Sequence, residues 1–392
     1  MDVIPKGIWP SFSEEEALAV ADVVRSNKVN YWTGKIGREF EKSFAAWTGT
    51  SHAVALGNGT LALDVALKAL GIGAGDEVIV TPRTFIASIS CVVSAGAMPV
   101  FADVDPDSGN ISPATIAVRI TEKTRAIIAV HLAGWPCDMD GIMALASEHG
   151  LAVIEDCAQA HGAMIGDRKV GSIGHVGAWS FCQDKIMTTG GEGGMVTTND
   201  EALWSTMWSY KDHGKNWDAI YHREHAPGFR WVHDSFGTNW RMLEVQAVLG
   251  EIQLRQISAW TQRRTEIAMR IADVLSHHEQ VVRIPIPATN FRHAYYRQYG
   301  YVRPDGLHAD WSRDRIVAEL NTAGVQVLHG TCSEVYLEKA FDGTSYRPET
   351  RLPVAKELGE TSLMFLTHPT IGDVELDHAI KAIDTILNNA KR

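Results

Sequence analysis

From Ala53 onward the chain carries short apolar, β-branched runs with no polar alternation, at residues 53–56, 77–81, 99–104, 126–131 and 152–155. An apolar run that does not alternate reads as a strand covered on both faces. Between these runs, residues 60–70, 85–95 and 139–149 place apolar side chains at helical spacing. Strand–helix alternation at this interval predicts an α/β fold with a mostly parallel central sheet flanked by helices.

The opening segment is helical in pattern. Ser13 precedes Glu14, Glu15 and Glu16, with Ala17, Val20 and Val24 on one face, and Ser13 with Glu16 reads as a capping box. Residues 31–35 (Tyr31-Trp32-Thr33-Gly34-Lys35) interrupt the pattern, and a second helix follows through Phe40, Phe44 and Trp47. Past Gln183 the rhythm loosens. A glycine-rich turn at 190–194 leads into a strand at 195–198, and residues 211–238 are polar, aromatic and His-rich, which reads as a long functional loop. A helix over 242–260 is expected to lead into a C-terminal part where helices (265–275, 313–323, 374–388) alternate with strands (298–303, 326–328), an α+β texture. A length of 392 residues exceeds the roughly 250–300 at which single cores divide. The expected division is a large domain over 1–250, which includes the N-terminal helical segment, and a smaller one over 251–392.

Composition narrows the partners. A net charge of -11 repels a polyanion, and basic clusters such as Arg263-Arg264 are short, so nucleic acid is not an expected partner. Apolar segments such as 86–93 fall far short of the roughly 20 residues that span a bilayer. Asp2, Glu14, Glu15 and Glu16 are unlike a basic-then-apolar leader. The expectation is a cytoplasmic protein with no membrane partner. The five cysteines (Cys91, Cys137, Cys157, Cys182 and Cys332) are odd in number and widely spaced, which predicts mostly buried thiols rather than disulfides or a zinc knot. His222 and His225 have near-metal spacing but no third ligand in context, so no metal is expected. His277-His278 reads as a solvated helix end.

Three short segments carry candidate chemistry. Gly57-Asn58-Gly59-Thr60 follows a strand and opens a helix, where free N–H groups and the dipole suit a phosphate; a plain strand-to-helix turn is the alternative. Asp156, in Glu155-Asp156, ends an apolar strand at the edge where α/β sheets bind ligands, though a structural salt bridge would look the same. Lys185 lies in a loop after Trp179-Ser180-Phe181, flanked by apolar strands; burial there would lower its pKa and make it a nucleophile toward an aldehyde, although most lysines lie on the surface. Taken in order, a phosphate turn, a strand-end Asp and a loop Lys are what an enzyme needs to hold pyridoxal phosphate. The Asp faces the pyridine nitrogen, the Lys forms the Schiff base, and Phe85 is a candidate to stack on the ring.

These residues resemble the DegT/DnrJ/EryC1/StrS sugar aminotransferases, of the aspartate-aminotransferase-like fold type I. The resemblance runs along the chain: Gly34 with Phe40-Glu41, Gly57-Asn58-Gly59-Thr60, Gly75-Asp76-Glu77-Val78, Pro82 with Thr84-Phe85, Glu155-Asp156 with Gln159, Ser180-Phe181 with Lys185, Gly191-Glu192-Gly193-Gly194, and Asn239 with Arg241-Met242. It implies Lys185 as the Schiff-base lysine, Asp156 as the partner of the pyridine nitrogen and Gln159 beside the ring hydroxyl. It implies Phe85 as the stacking aromatic and Gly59, Thr60 and Ser180 as phosphate ligands. Asn239 would reach the phosphate from the neighbouring subunit, which implies a homodimer with active sites at its interface. His329 resembles a residue near the sugar nucleotide.

The implied reaction moves an amino group from an amino acid, with glutamate expected, to a nucleotide-linked keto sugar, in deoxyamino sugar biosynthesis of the lipopolysaccharide or O-antigen kind. The Thr188-Thr189-Gly190-Gly191-Glu192-Gly193-Gly194 run resembles 4-keto-6-deoxy sugar enzymes. A 3-keto sugar or cyclitol acceptor, or a non-catalytic regulatory relative that binds pyridoxal phosphate, is the alternative. Two departures bear on the pocket: Asp184 where the family often has Asn, and the extra glycine of Gly190-Gly191. Lys185 argues against the dehydratase branch, which has His there. Trp217, Tyr221, Phe229 and Trp231 either stack on a base or sugar or pack a dimer interface.

Overall fold

Apolar runs without alternation need cover on both faces, and the fold supplies it. A computed structural model describes residues 6–224 and 230–392. Seven strands form the main sheet: β1 (His52–Leu56), β2 (Glu77–Val80), β3 (Met98–Phe101), β4 (Thr124–Val130), β5 (Ala152–Asp156), β6 (Val176–Ser180) and β7 (Gly194–Thr198), in the order β1-β7-β6-β5-β4-β2-β3. The run from β6 to β3 is parallel, and β7 alone runs against its neighbours β6 and β1. β4 to β6 are buried along nearly their whole length, as the unbroken apolar runs require.

That topology positions the site. Antiparallel neighbours can be joined by a loop without a crossover, so β6 hands directly to β7, with Ser180 opposite Gly194. The segment between them carries Lys185. Because β7 opposes both β1 and β6, the last two run the same way. The C-terminal ends of β1, β5 and β6 therefore lie along one sheet edge, where open α/β sheets bind ligands.

Local signals set the helices. Ser13 and Glu16 form the expected capping box on the helix Glu14–Arg25. The helix Ile36–Thr48 is capped from far away: the Glu244 carboxylate accepts from Ile36 N at 2.7 Å and Gly37 N at 3.0 Å. A β-carbon on Gly34 would sit 2.1 Å from that carboxylate, so the break at residues 31–35 needs a residue without a side chain there.

A second, antiparallel sheet takes β8 (Val282–Arg283), β9 (Arg297–Val302), β10 (Val327–Leu328) and β11 (Ser362–Leu366) in the order β8-β9-β11-β10. The helices Ile257–Ser276, Arg313–Thr322 and Asp373–Ala390 pack its core through Ile267, Ile271, Ile316, Leu320, Ile383 and Leu387. Tyr336, Phe341 and Leu358 instead join the core of the main sheet. Arg83 ties the two sheets together: its buried guanidinium donates to Ser333 Oγ (2.8 Å) and Ser362 Oγ (2.9 Å) and lies over the ring of Tyr299.

Three expectations change. The helix over 242–260 is two helices, Glu244–Leu254 and Ile257–Ser276. Apolar spacing continues across the junction, so periodicity could not show it; there the buried Gln253 side chain is engaged by Thr188 N and Glu16 Oε1. Residues 211–238 are not an open loop: Asp212 and Lys215 are buried, Trp217–Tyr221 is helical, and bridges join Asp212 to Asn239 and Lys215 to His233. His225 and Phe229 lie outside the described residues. His278 is not solvated. It is buried, with Nε2 2.9 Å from Asp384 Oδ1, because an imidazole at a helix end can turn inward onto a carboxylate of the packed C-terminal helix.

Cys91, Cys137 and Cys157 are buried free thiols, Cys182 is half-buried and Cys332 exposed. Among the described residues no helix is long and apolar enough to cross a membrane.

Candidate active site

A cavity of about 600 Å³ opens at the C-terminal edge of the main sheet, lined by Thr60, Phe85, Asp156, Gln159, Ser180 and Lys185 among others. With Gly59, seven of the expected residues therefore meet at one place. Its volume falls within the range of small-molecule sites.

The phosphate end is built at the start of the helix Gly59–Ala69. Asn58 caps it, its Oδ1 accepting from Leu61 N at 3.0 Å, while the first N–H groups of a helix have no partner within it. Ser180, at the end of β6, closes on this turn. A β-carbon on Gly59 would lie 2.5 Å from Ser180 Cβ and 2.9 Å from its Oγ. Only glycine lets the helix start and the Ser180 hydroxyl flank one small space. Helix dipole, free N–H groups and hydroxyls together form an anion cradle.

Asp156 ends β5, facing the cavity but buried. Ser88 Oγ donates to Oδ2 at 2.8 Å and Ala158 N to Oδ1 at 3.1 Å. Burial pushes its pKa up, and the Ser88 and Ala158 hydrogen bonds and the Lys185 charge only partly oppose this. A carboxylate in that condition gains most from a cation brought to it. Glu155, one residue earlier, turns away. It accepts from His131 Nε2 (3.0 Å) and from the N–H groups of Gly171, Ile173 and Gly174. Cys137 N donates to His131 Nδ1 at 3.0 Å, which places the imidazole proton on Nε2. His131, Glu155 and Cys157 are close enough to hold a metal, but the Glu155 oxygens and both imidazole nitrogens are already engaged in joining β4, β5 and the turn at 171–174.

Gln159 Oε1 accepts from Ala133 N at 2.7 Å, so its amide N–H₂ is the end left for a ligand. Phe85 is 68% exposed in the single chain, an apolar ring on the cavity wall with one face to be covered. Lys185 is largely buried; its Nζ lies 3.6 Å from Asp184 Oδ1 and 5.3 Å from the ring centre of Tyr296. Trp9 Nε1 donates to the Lys185 carbonyl at 2.8 Å, pinning the loop. Burial does act to lower the Lys185 pKa, as expected from its loop position. Tyr296, Asp184, Cys182 and Asp156 surround it, however, and their combined effect prevails, so its pKa is raised. The expected fall is thus corrected: the sequence showed the burial but not the acidic company.

Asn239 and His329 do not line this cavity. Asn239 is exposed, its backbone bridged to Asp212. His329 is exposed with Nε2 3.4 Å from Asp314 Oδ1. Of the aromatics left open, Trp217 packs within the chain against Trp204, Trp208 and Tyr221, whereas Trp231 is 85% exposed.

The residues present fit pyridoxal 5'-phosphate. An anion cradle, a buried carboxylate short of cationic partners, an amine and an uncovered aromatic ring surround one cavity large enough for the cofactor. Ser88, Trp9, Tyr296 and Arg297 were missed in the sequence. Only the Tyr295-Tyr296-Arg297 cluster of large polar side chains gave any signal there.

Comparison with known proteins agrees. A family model described as the DegT/DnrJ/EryC1/StrS aminotransferase family matches residues 10–384. The solved aminotransferase from Psychrobacter cryohalolentis is 61% identical, covers 98% of this chain and 100% of its own, and superposes with a TM-score of 0.97. GDP-perosamine synthase of Caulobacter vibrioides is 36% identical over 91% of this chain and 92% of its own. A UDP-N-acetyl-3-dehydro-alpha-D-glucosamine 3-aminotransferase of Acidithiobacillus ferrooxidans is 36% identical over 88% of this chain and 86% of its own.

Proposed function

The chain belongs to the DegT/DnrJ/EryC1/StrS aminotransferase family, and on that premise we propose that it transfers an amino group from L-glutamate to C4 of a nucleotide-linked 4-keto-6-deoxy sugar. It is a pyridoxal-phosphate-dependent aminotransferase of fold type I. The observation that carries the site reading is the meeting of Asp156, Lys185 and the Gly59–Ser180 turn at one cavity.

When bound, pyridoxal phosphate supplies an aldehyde for amines to condense with and a ring that takes up electrons from the donor's α-carbon. The chain's residues supply position, charge and proton movement. Gly59, Thr60 and Ser180 hold the phosphate. Asp156 keeps a proton on the pyridine nitrogen by offering it a buried anion. Gln159 meets the ring hydroxyl, and Phe85 covers one ring face. Lys185 would hold the cofactor through Nζ and, when free of it, would take the proton from the donor's α-carbon as general base. His329 is assigned to the sugar nucleotide.

Asn239 is assigned to the phosphate of a partner subunit's site, which makes the homodimer the working unit. Its segment supports this: Trp231, Phe236 and Leu243 are 85%, 98% and 51% exposed in the single chain. Large apolar side chains left exposed along one short segment fit a surface that a partner covers.

The glycine run after Lys185 and the GDP-perosamine synthase likeness favour C4. The equally identical 3-aminotransferase keeps a 3-keto acceptor as the second reading. Purified protein with pyridoxal phosphate should absorb in the visible and lose that band with L-glutamate. A panel of 4-keto and 3-keto sugar nucleotides should then restore it with one acceptor. A protein that stays colourless with added cofactor overturns the Lys185 assignment; restoration by a 3-keto sugar alone overturns C4.

A further inference from the structure

Besides Asp156, two carboxylates line the cavity, Asp184 and Glu192, and neither is assigned to holding the cofactor. Asp184 lines the cavity next to Lys185, and its two oxygens have different company. Oδ2 accepts a short hydrogen bond from the Tyr296 hydroxyl and lies 3.5 Å from Arg297 Nη2. Arg297 secures that arrangement: Nη2 donates to Tyr296 Oη at 3.3 Å, Nη1 to the Tyr296 carbonyl at 2.9 Å, and the guanidinium carbon sits 3.9 Å from the centre of the Tyr296 ring. The Thr367 hydroxyl in turn donates to the carbonyls of Tyr295 (2.6 Å) and Tyr296 (3.1 Å). Oδ1 carries none of these contacts, and it lies 3.6 Å from Lys185 Nζ.

The clamp comes from the second sheet, since Arg297 begins β9 and Tyr296 precedes it, while Asp184 and Lys185 belong to the loop between β6 and β7. A carboxylate fixed through one oxygen by a buried Tyr and a partly buried Arg loses little further freedom when the other oxygen takes a partner. The usual entropic objection to a half-exposed ion pair is therefore weakened here.

We propose that Asp184, clamped by Tyr296 and Arg297, is the counter-ion that Lys185 Nζ meets as an ammonium once it has taken the proton of the donor's α-carbon, and so sets where the lysine waits and when it gives up that proton. Asp184 is a positioning residue on this account: it acts through Lys185. The proposal rests on the reading of Lys185 as the cofactor lysine.

The other groups facing Lys185 can be compared with it. Cys182 belongs to the same loop and Asp156 to the end of β5, where Ser88 and Ala158 already engage both carboxylate oxygens. His161, buried between Trp179 and Phe181, has its pKa pushed down to about 3 by burial first and the Lys185 and Arg264 charges next, so it is neutral and offers no counter-charge. Arg264 is itself a cation. Tyr296 stacks beside the ammonium as a neutral phenol, its own pKa raised by burial. Glu192 also lines the cavity, but among the described residues Asp184 is the carboxylate that lies within 4.0 Å of Lys185 Nζ, with one oxygen open and its direction fixed; its pKa is held below the usual carboxylate range because the charges of Lys185 and Arg297 and the Tyr296 hydrogen bond outweigh burial.

The test is competitive acetylation of the cofactor-free protein with acetic anhydride between pH 7 and 11, with the Lys185 peptide quantified by mass spectrometry. Asp184→Asn should move the Lys185 midpoint down by about one pH unit, the low end for loss of one close, partly exposed charge. Asp184→Glu should restore it in large part. Asp184 is half-exposed, so neither change threatens folding. An unchanged midpoint in Asp184→Asn overturns the proposal while leaving the function intact if wild type still takes up pyridoxal phosphate with colour. A wild type that does not colour overturns the Lys185 reading itself.

Discussion

Ser88 Oγ donates to Asp156 Oδ2 at 2.8 Å across a separation of 68 residues, and this bond holds down the pKa of a carboxylate that burial drives up. Its removal has a definite sign. In Ser88→Ala the Asp156 pKa rises further, so the carboxylate protonates at higher pH and stops supporting a protonated pyridine nitrogen sooner as pH falls. The acid limb of the kcat/KM profile should move to higher pH by up to about one unit. Asp156→Asn removes the charge and should cost roughly 100-fold or more in kcat at every pH, the scale on which lost preorganised electrostatic partners act. A Ser88→Ala profile that coincides with wild type would show that Asp156 does not control the limb.

The approach of Gly59 to Ser180 predicts a size limit. Gly59→Ala puts a β-carbon 2.5 Å from Ser180 Cβ, and relieving that overlap by moving backbone costs about 1–3 kcal/mol. The helix start must shift away from Ser180, which also spreads the phosphate cradle. Thermal unfolding should begin several degrees lower, and pyridoxal phosphate should bind about tenfold more weakly by fluorescence titration. Ser180→Gly in the same chain should recover part of the stability, since it removes the obstructing side chain while the Cα stays 3.0 Å away, but not the affinity, because the hydroxyl goes with it. Recovery of both would mean that Ser180 only packs.

Glu155 and His131 are buried partners at 3.0 Å, and Glu155 titrates below its ordinary range. Burial, which acts upward, is overcome by the interactions with His131 and by the Gly174 and Gly171 amides. A depressed carboxylate contributes stability that is complete above its unfolded pKa, about 4.3, and is lost as pH falls through the lower folded value. Glu155→Gln should therefore lose about 1.5–3 kcal/mol at pH 7, the scale for hydrogen bonds to a charged group. It should also show a shallower loss of stability than wild type below about pH 4. Urea unfolding of the cofactor-free protein at pH 7, 5 and 3.5 measures both, and parallel pH dependences would refute the assignment.

What could be read in the sequence was set by local rules. Asp156 and Ser180 end uninterrupted apolar runs, Gly59 opens a helix behind an Asn cap, and Lys185 follows Ser180 in the connection to β7. These features share a sheet edge because the strands that carry them run the same way. The rest depends on contacts between distant parts of the chain. Ser88 to Asp156, Tyr296 to Asp184 at a separation of 112 and Trp9 to Lys185 at 176 leave no periodic trace in the chain. The same distance explains the misjudged Lys185: its burial follows from neighbouring apolar strands, whereas Tyr296, one of the groups that counter it, comes from the other sheet. His278 was misread for a like reason, since Asp384 lies 106 residues away.

Asn239 gives the sharpest test of the assembly. It does not line the cavity of its own chain, and its assigned role is in the partner's site. Asn239→Asp would set a carboxylate against the cofactor phosphate there, where like charges at close range oppose binding. Chains carrying Lys185→Ala and chains carrying Asn239→Asp should each be nearly inactive alone. If each site takes Lys185 from one chain and Asn239 from the other, a mixed dimer has one site with both lesions and one with neither. Random mixing makes half the dimers hybrid, so about a quarter of wild-type activity should return in a symmetric two-site assembly. If Asn239 serves its own chain instead, both sites of the hybrid carry a lesion and nothing returns. Because the recovered fraction depends on which chain supplies each residue and not on how severe either lesion is, one activity assay on co-expressed chains decides between the two arrangements.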